Sequence, residues 1–142
     1  MKKIILLFVV ALIVASCQGP IGPEGPQGYG TNWKIINLVA TQSDWVENLD
    51  KDGINRYYSC NFSIPEITSE VYNNGSVNAY MLIDNTQQTL PFVRHFEDIN
   101  KNLWTRTIDF DFTKGGMNFY VTISDFNAEP PGTMNFRVVL MW

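Results

Sequence analysis

The sequence is short of the residue types that carry most catalysis. It holds one histidine, His95, and two cysteines, Cys17 and Cys60. A histidine-based triad needs a nucleophile and an orienting acid around its imidazole. A zinc site needs several His or Cys ligands. A single histidine with one or two thiols completes neither set, so His95 reads as an ordinary residue on a strand surface. Positive charge is scarce too. Ten Lys and Arg stand against fourteen Asp and Glu, a net charge of −4. Nucleic-acid recognition rests on a basic footprint, which this chain lacks. No nucleotide-binding motif occurs, and no cofactor is expected. Long apolar runs are missing as well. The longest, residues 4–15, would span roughly 18 Å as helix, against a hydrocarbon core about 30 Å thick.

That short run follows Met1-Lys2-Lys3. A basic start followed by such a run is the pattern of a secretory signal peptide. It ends in Val14-Ala15-Ser16-Cys17. These four residues resemble the bacterial lipobox: a branched apolar residue, two small residues and a cysteine. The resemblance implies that diacylglycerol is attached to Cys17, that residues 1–16 are removed, and that the new amino group is acylated, palmitate being one expected chain. One acyl chain holds a protein to a membrane only marginally, whereas two or three hold it stably. Cleavage takes Lys2 and Lys3 with it. Eight basic side chains then face fourteen acidic ones, and the net charge falls from −4 to −6. No basic patch is left to assist membrane attachment, so the lipid must supply it. With Cys17 taken up, Cys60 has no partner for an intramolecular disulfide.

Behind the cysteine, residues 19–30 read GPI-GPE-GPQ-GYG, with glycine at 19, 22, 25 and 28 and proline at 20, 23 and 26. This is the Gly-X-Y period of collagen. As an extended polyproline helix, residues 19–27 would reach roughly 28 Å. The segment reads as a stiff spacer on a monomer, with a stub of triple helix in a trimer as the competing reading. Together, lipobox and stub resemble a group of small lipoproteins from Bacteroidota, in which a lipid-bearing cysteine is followed by Gly-Pro triplets and one β domain. The resemblance covers residues 1–30. It implies location more than chemistry: a lipid-anchored protein of the cell envelope. Gln18 is unlike the aspartate that retains some lipoproteins at the inner membrane, so the outer membrane is expected. The membrane face is left open.

From Thr31 onward the signal is alternation of apolar and polar residues, which marks strands. Candidate strands cover residues 33–40, 56–64, 77–83, 90–96, 104–112, 117–124 and 134–142. On the second, Tyr58, Cys60, Phe62 and Ile64 share a face. On the fifth, Trp104, Ile108, Phe110 and Phe112 point in while Thr105, Thr107, Asp109 and Asp111 point out. On the sixth, Met117, Phe119, Val121 and Ile123 oppose Asn118, Tyr120, Thr122 and Ser124. Gly, Pro and Asn clusters between the strands supply turns. Residues 67–72 suit one helical turn, stopped by Gly75. Seven short strands with one apolar face each can bury those faces as two packed antiparallel sheets. The expected domain is therefore an all-β sandwich of immunoglobulin-like size over residues 31–142, with Trp142 partly buried in its last strand.

Several residues invite a functional reading, each with a plainer one beside it. Cys60 shares the apolar face of its strand and reads as core filler rather than a reactive thiol. Residues 48–53 imitate the first half of a calcium loop. The twelfth position would be Ser59 instead of a bidentate Glu, so a polar turn is expected, with no metal site. Asp109 and Asp111 lie roughly 7 Å apart by strand geometry, a separation that glycosidase carboxylates also show. Such pairs face each other across a cleft, however, while these two share one strand and read as solvent-facing charges. Asn61-Phe62-Ser63 and Asn74-Gly75-Ser76 match the glycosylation pattern by chance. Tyr57, Tyr80 and Tyr120 alternate opposite to the core sets, and outward tyrosines can bind a sugar or a protein. The expected function is a non-enzymatic, membrane-anchored binding, adhesion or structural module. The alternative is a carbohydrate-binding accessory lipoprotein using those tyrosines.

Overall fold

Alternating side chains demand an extended backbone with two unlike faces, and nine segments among the described residues adopt an extended backbone. The computed structural model describes residues 30–125 and 129–142, and Thr31–Trp142 form one unit. The strands are β1 (Trp33–Ala40), β2 (Val46–Leu49), β3 (Arg56–Ser63), β4 (Ser76–Ile83), β5 (Thr86–Thr89), β6 (Phe92–Glu97), β7 (Leu103–Thr113), β8 (Gly116–Ile123) and β9 (Met134–Met141). They form two antiparallel sheets, one ordered β1-β9-β4-β5 and the other β2-β3-β8-β7-β6. The all-β sandwich expected from alternation is what the chain builds, and each of the seven expected strands is present. β2 and β5 are additional. Their sequences, VENL and TQQT, carry no apolar alternation, and each lies at the edge of its sheet.

The interior forms where the inward faces of the two sheets meet. Phe119 and Val121 of β8 lie against Phe136 and Val138 of β9, all fully buried. Trp45, just before β2, sets its ring edge on Phe136, with centroids 6.5 Å apart. Phe62 and Phe110 pack on Phe119 from the neighbouring strands. Cys60 and Ile108 complete the same layer. Truncating one such buried ring costs about 3–5 kcal/mol.

The connections follow local chemistry. Between β3 and β4 the chain makes one short helix, α1 (Ser69–Asn74). Its start is capped by Thr68, whose Oγ1 accepts from the Val71 amide at 3.3 Å. It ends at Gly75, whose amide donates to the Val71 carbonyl at 3.0 Å. The reason for glycine is space: a β-carbon at position 75 would sit 2.5 Å from the Met141 carbonyl oxygen. At the β7–β8 turn, Gly115 adopts φ +80°, a region that favours glycine. β6 starts at Phe92, two residues later than its apolar run, because Pro91 has no amide hydrogen for a ladder. The end of β9 is tied down by paired bonds between Asn32 and Trp142, at 2.7 and 2.9 Å. Trp142 is half-buried.

Candidate functional site

The outward face of β3, β8 and β7 gathers most of the candidate polar residues. Register sets the rows. Tyr57 lies opposite Thr122, which lies opposite Thr107. Ser59 lies opposite Tyr120, which lies opposite Asp109. Asn61 lies opposite Asn118, which lies opposite Asp111. Because side chains on one strand face recur every second residue, these nine positions form a continuous patch on the sheet.

Hydrogen bonds tie the patch together. Asn61 Nδ2 donates to Asn118 Oδ1 at 2.7 Å. Asn118 Nδ2 in turn donates to Asp111 Oδ1 at 2.7 Å. The Tyr120 hydroxyl donates to Asp111 Oδ2 at 2.8 Å. Both Asp111 oxygens are thus engaged, and the chain of bonds fixes which way each amide points. Tyr57 reaches across the strands to Tyr120, with ring centroids 6.2 Å apart and planes tilted by 57°. At the margin, Asn48 Nδ2 donates to Ser59 Oγ at 2.9 Å, bringing β2 into the same surface.

Ionisation follows from this crowding. Partial burial pushes the Asp109 carboxyl above its usual range, and the Asp111 charge beside it adds to the shift. The Tyr120 phenol is pushed up to about 12, first by burial, then by its bond to Asp111. A phenol that stays protonated remains a donor, and a carboxylate that accepts two bonds is held in place. The two aspartates sit side by side on one strand, not across a cleft. Among the described residues no group of three or more His, Cys, Asp or Glu is placed to hold a metal ion.

The remaining candidates fall elsewhere. Tyr80 lies on β4, in the other sheet, opposite Thr89 and Arg137. The three outward tyrosines therefore do not converge; Tyr57 and Tyr120 meet and Tyr80 stands apart. His95 is exposed on β6, with Nδ1 2.9 Å from Thr105 Oγ1. Cys60 is a buried free thiol, pushed up mainly by burial, with Asp44 adding a little. In the turn between β2 and β3, Asp52 spends both carboxylate oxygens locally. Oδ1 accepts from the Ile54 amide at 2.9 Å and Oδ2 from Asn55 Nδ2 at 3.1 Å. Cys17 and the Gly-X-Y triplets lie outside the described residues. Asn61, which the sequence marks only as a chance glycosylation match, and Asn118 share the outward parity of Tyr57 and Tyr120, and that parity is the signal that places them here.

The family model for the prokaryotic membrane lipoprotein lipid attachment site matches residues 1–18. No curated protein and no solved structure matches the chain. Among the described residues no helix is long and apolar enough to cross a membrane. The match ends one residue past Cys17, so the chain is a lipoprotein with a lipobox, a lipid-anchored protein associated with the envelope membrane.

Proposed function

We propose that this lipoprotein is a non-enzymatic binding module of the cell envelope, and that the outward face of β3, β8 and β7 takes a glycan. The observation that carries the reading is the bonded row Asn61–Asn118–Asp111–Tyr120 with the Tyr57 ring beside it. Sugars present hydroxyls next to apolar C–H faces. A row of pre-oriented amide and carboxylate groups next to two aromatic rings offers a partner for each. Pre-orientation also reduces the ordering cost of binding. A hydrolytic reading has less support, since both Asp111 oxygens are already occupied by neighbours on the same sheet.

The finer location belongs to the same reading: the outer membrane of a Bacteroidota-type cell, with the Gly-X-Y triplets as an extended spacer between lipid and domain. Gln18 after the lipid-bearing cysteine favours the outer membrane, and three triplets are few for a lasting triple helix. Glycan-array binding by the mature lipoprotein in detergent tests the function. Wild type should bind a restricted set of glycans. Tyr57→Ala and Asn118→Ala should each lose that signal while melting near the wild-type temperature. Arrays on which both variants bind like wild type would remove this face from the function.

A further inference from the structure

The inward side of the β6–β7 edge holds an arrangement that core packing does not explain. Arg94 and Arg106 lie directly opposite each other across the two strands. By the same parity as Phe92 and Ile108, both belong to the face turned toward the other sheet. Like charges in directly opposed positions repel. Neither guanidinium has an ion-pair partner among the described residues. Instead, both lean on one ring, Phe96, at 5.5 and 5.4 Å from its centroid. That ring is stacked on Trp104 at 4.3 Å, and Arg106 lies 5.4 Å from Trp104 as well. Arg106 Nε is buried with no hydrogen-bond partner among the described residues. A buried donor left unpaired is costly.

The same two arginines line a cavity of about 400 Å³ between the sheets. Its other walls are mostly apolar, with Met81 from β4, Phe92 from β6, Ile108 from β7 and Met134 from β9. The lining holds a single carboxylate, Asp84, which is exposed in the β4–β5 turn. Glu129 lines a smaller adjoining cavity that shares Arg106. A cavity of this size lies in the small-molecule range. Guanidinium groups match a planar carboxylate in geometry and charge. A mostly apolar, half-open cavity whose two cations have no ion-pair partner among the described residues thus matches a ligand with one anionic end and one greasy end.

We propose that this cavity binds a small amphiphilic carboxylate, its carboxylate bridging Arg94 and Arg106 and its hydrocarbon body lying among Met81, Phe92, Ile108 and Met134. The bound anion would cancel the repulsion between the arginines. This site is independent of the glycan face, because it lies on the opposite side of the same sheet.

Calorimetric titration of the mature lipoprotein in phosphatidylcholine nanodiscs tests the proposal, with protein-free nanodiscs subtracted. Octanoate is the probe. Octan-1-ol supplies the body without the charge, and acetate the charge without the body. Octanoate should bind saturably at one site, and each half-ligand should bind more weakly by about tenfold or more. Arg106→Gln should weaken octanoate by a similar factor, as should Arg94→Gln, a change at an exposed residue that also relieves the repulsion. Arg94→Gln should melt no lower than wild type without ligand and gain less in melting temperature from octanoate. Absence of an octanoate isotherm, equal binding of octan-1-ol or acetate, or unchanged octanoate affinity in both variants would each overturn the proposal.

Discussion

The rings of Phe119 and Phe136 stack with centroids 3.9 Å apart and planes within 14°, one from each sheet. Both are fully buried. This contact lies in the middle strands of the sandwich, where no local turn or cap could replace it. Phe119→Ala should therefore cost about 3–5 kcal/mol in urea denaturation. Thr122→Ala, on the outward face of the same strand, should stay within about 0.5 kcal/mol. Equal midpoints for the two would mean that β8 is read in the wrong register.

Gly75 stands where α1 ends against Met141, the last residue of β9. Gly75→Ala should cost about 1–3 kcal/mol, because its methyl group meets the Met141 and Val71 carbonyls and both are backbone. Gly132→Ala is the control, since no described residue lies within 4 Å of a β-carbon there. Thermal melts of the two variants against wild type give the comparison.

Tyr120 makes stability depend on alkaline pH. Its phenol ionises near 10.0 when unfolded and at about 12 in the fold. The folded state therefore holds the proton more tightly. That contribution is full below pH 10.0 and is lost as pH rises through about 12. Tyr120→Phe should be less stable than wild type at neutral pH, by about 0.5–1.5 kcal/mol for the lost bond to Asp111. The gap between the two melting temperatures should then close across that alkaline window. Tyr58 is shifted in the same direction by burial, so both proteins should still lose stability there.

Cys17→Ala should abolish lipid attachment. In detergent phase separation the variant should move to the aqueous phase, whereas wild type stays with detergent. Retention of the variant in the detergent phase would contradict anchoring through this cysteine.

A soluble chain beginning at Gln18 should sediment as a monomer. Three Gly-X-Y triplets return little against the entropy of bringing three chains into register. A trimer that dissociates on Gly22→Ala with Gly25→Ala would establish a triple helix, because only glycine fits its axis. A trimer that survives those changes would place assembly in the β domain.

The sequence was most legible where alternation was strong. β3, β8 and β9 each carry several large apolar residues at every second position, and most of their inward sets are buried, whereas on β7 only Ile108 is fully so and Trp104, Phe110 and Phe112 pack half-buried against the core. β2 and β5 left no such trace, since short edge strands are held by backbone bonds that any polar sequence can make. The tyrosines show the limit of parity. Period 2 assigns a residue to a face but not to a sheet, so it cannot separate Tyr80 from Tyr57 and Tyr120; strand pairing does. Arg106 is hidden for a different reason. It lies between Trp104 and Ile108 on the inward face, and parity includes it there, but charge argues for solvent and only the pairing with Arg94 shows which prevails.

The central place of β9 bears on how the protein is made. β1 has no neighbour in its sheet except β9, and Trp33 pairs with Met141. A chain that emerges amino end first exposes its lipid-bearing cysteine long before β9 exists. The four-stranded sheet cannot close until that last strand arrives, and pairing across such a distance is slow. Until it does, β1 and β4 each present an edge that β9 alone fills, and such an open edge is a template for pairing with another chain. The amino-terminal strand is thus the last part of the domain to be secured, and the window for edge-to-edge aggregation closes only with the carboxyl-terminal strand.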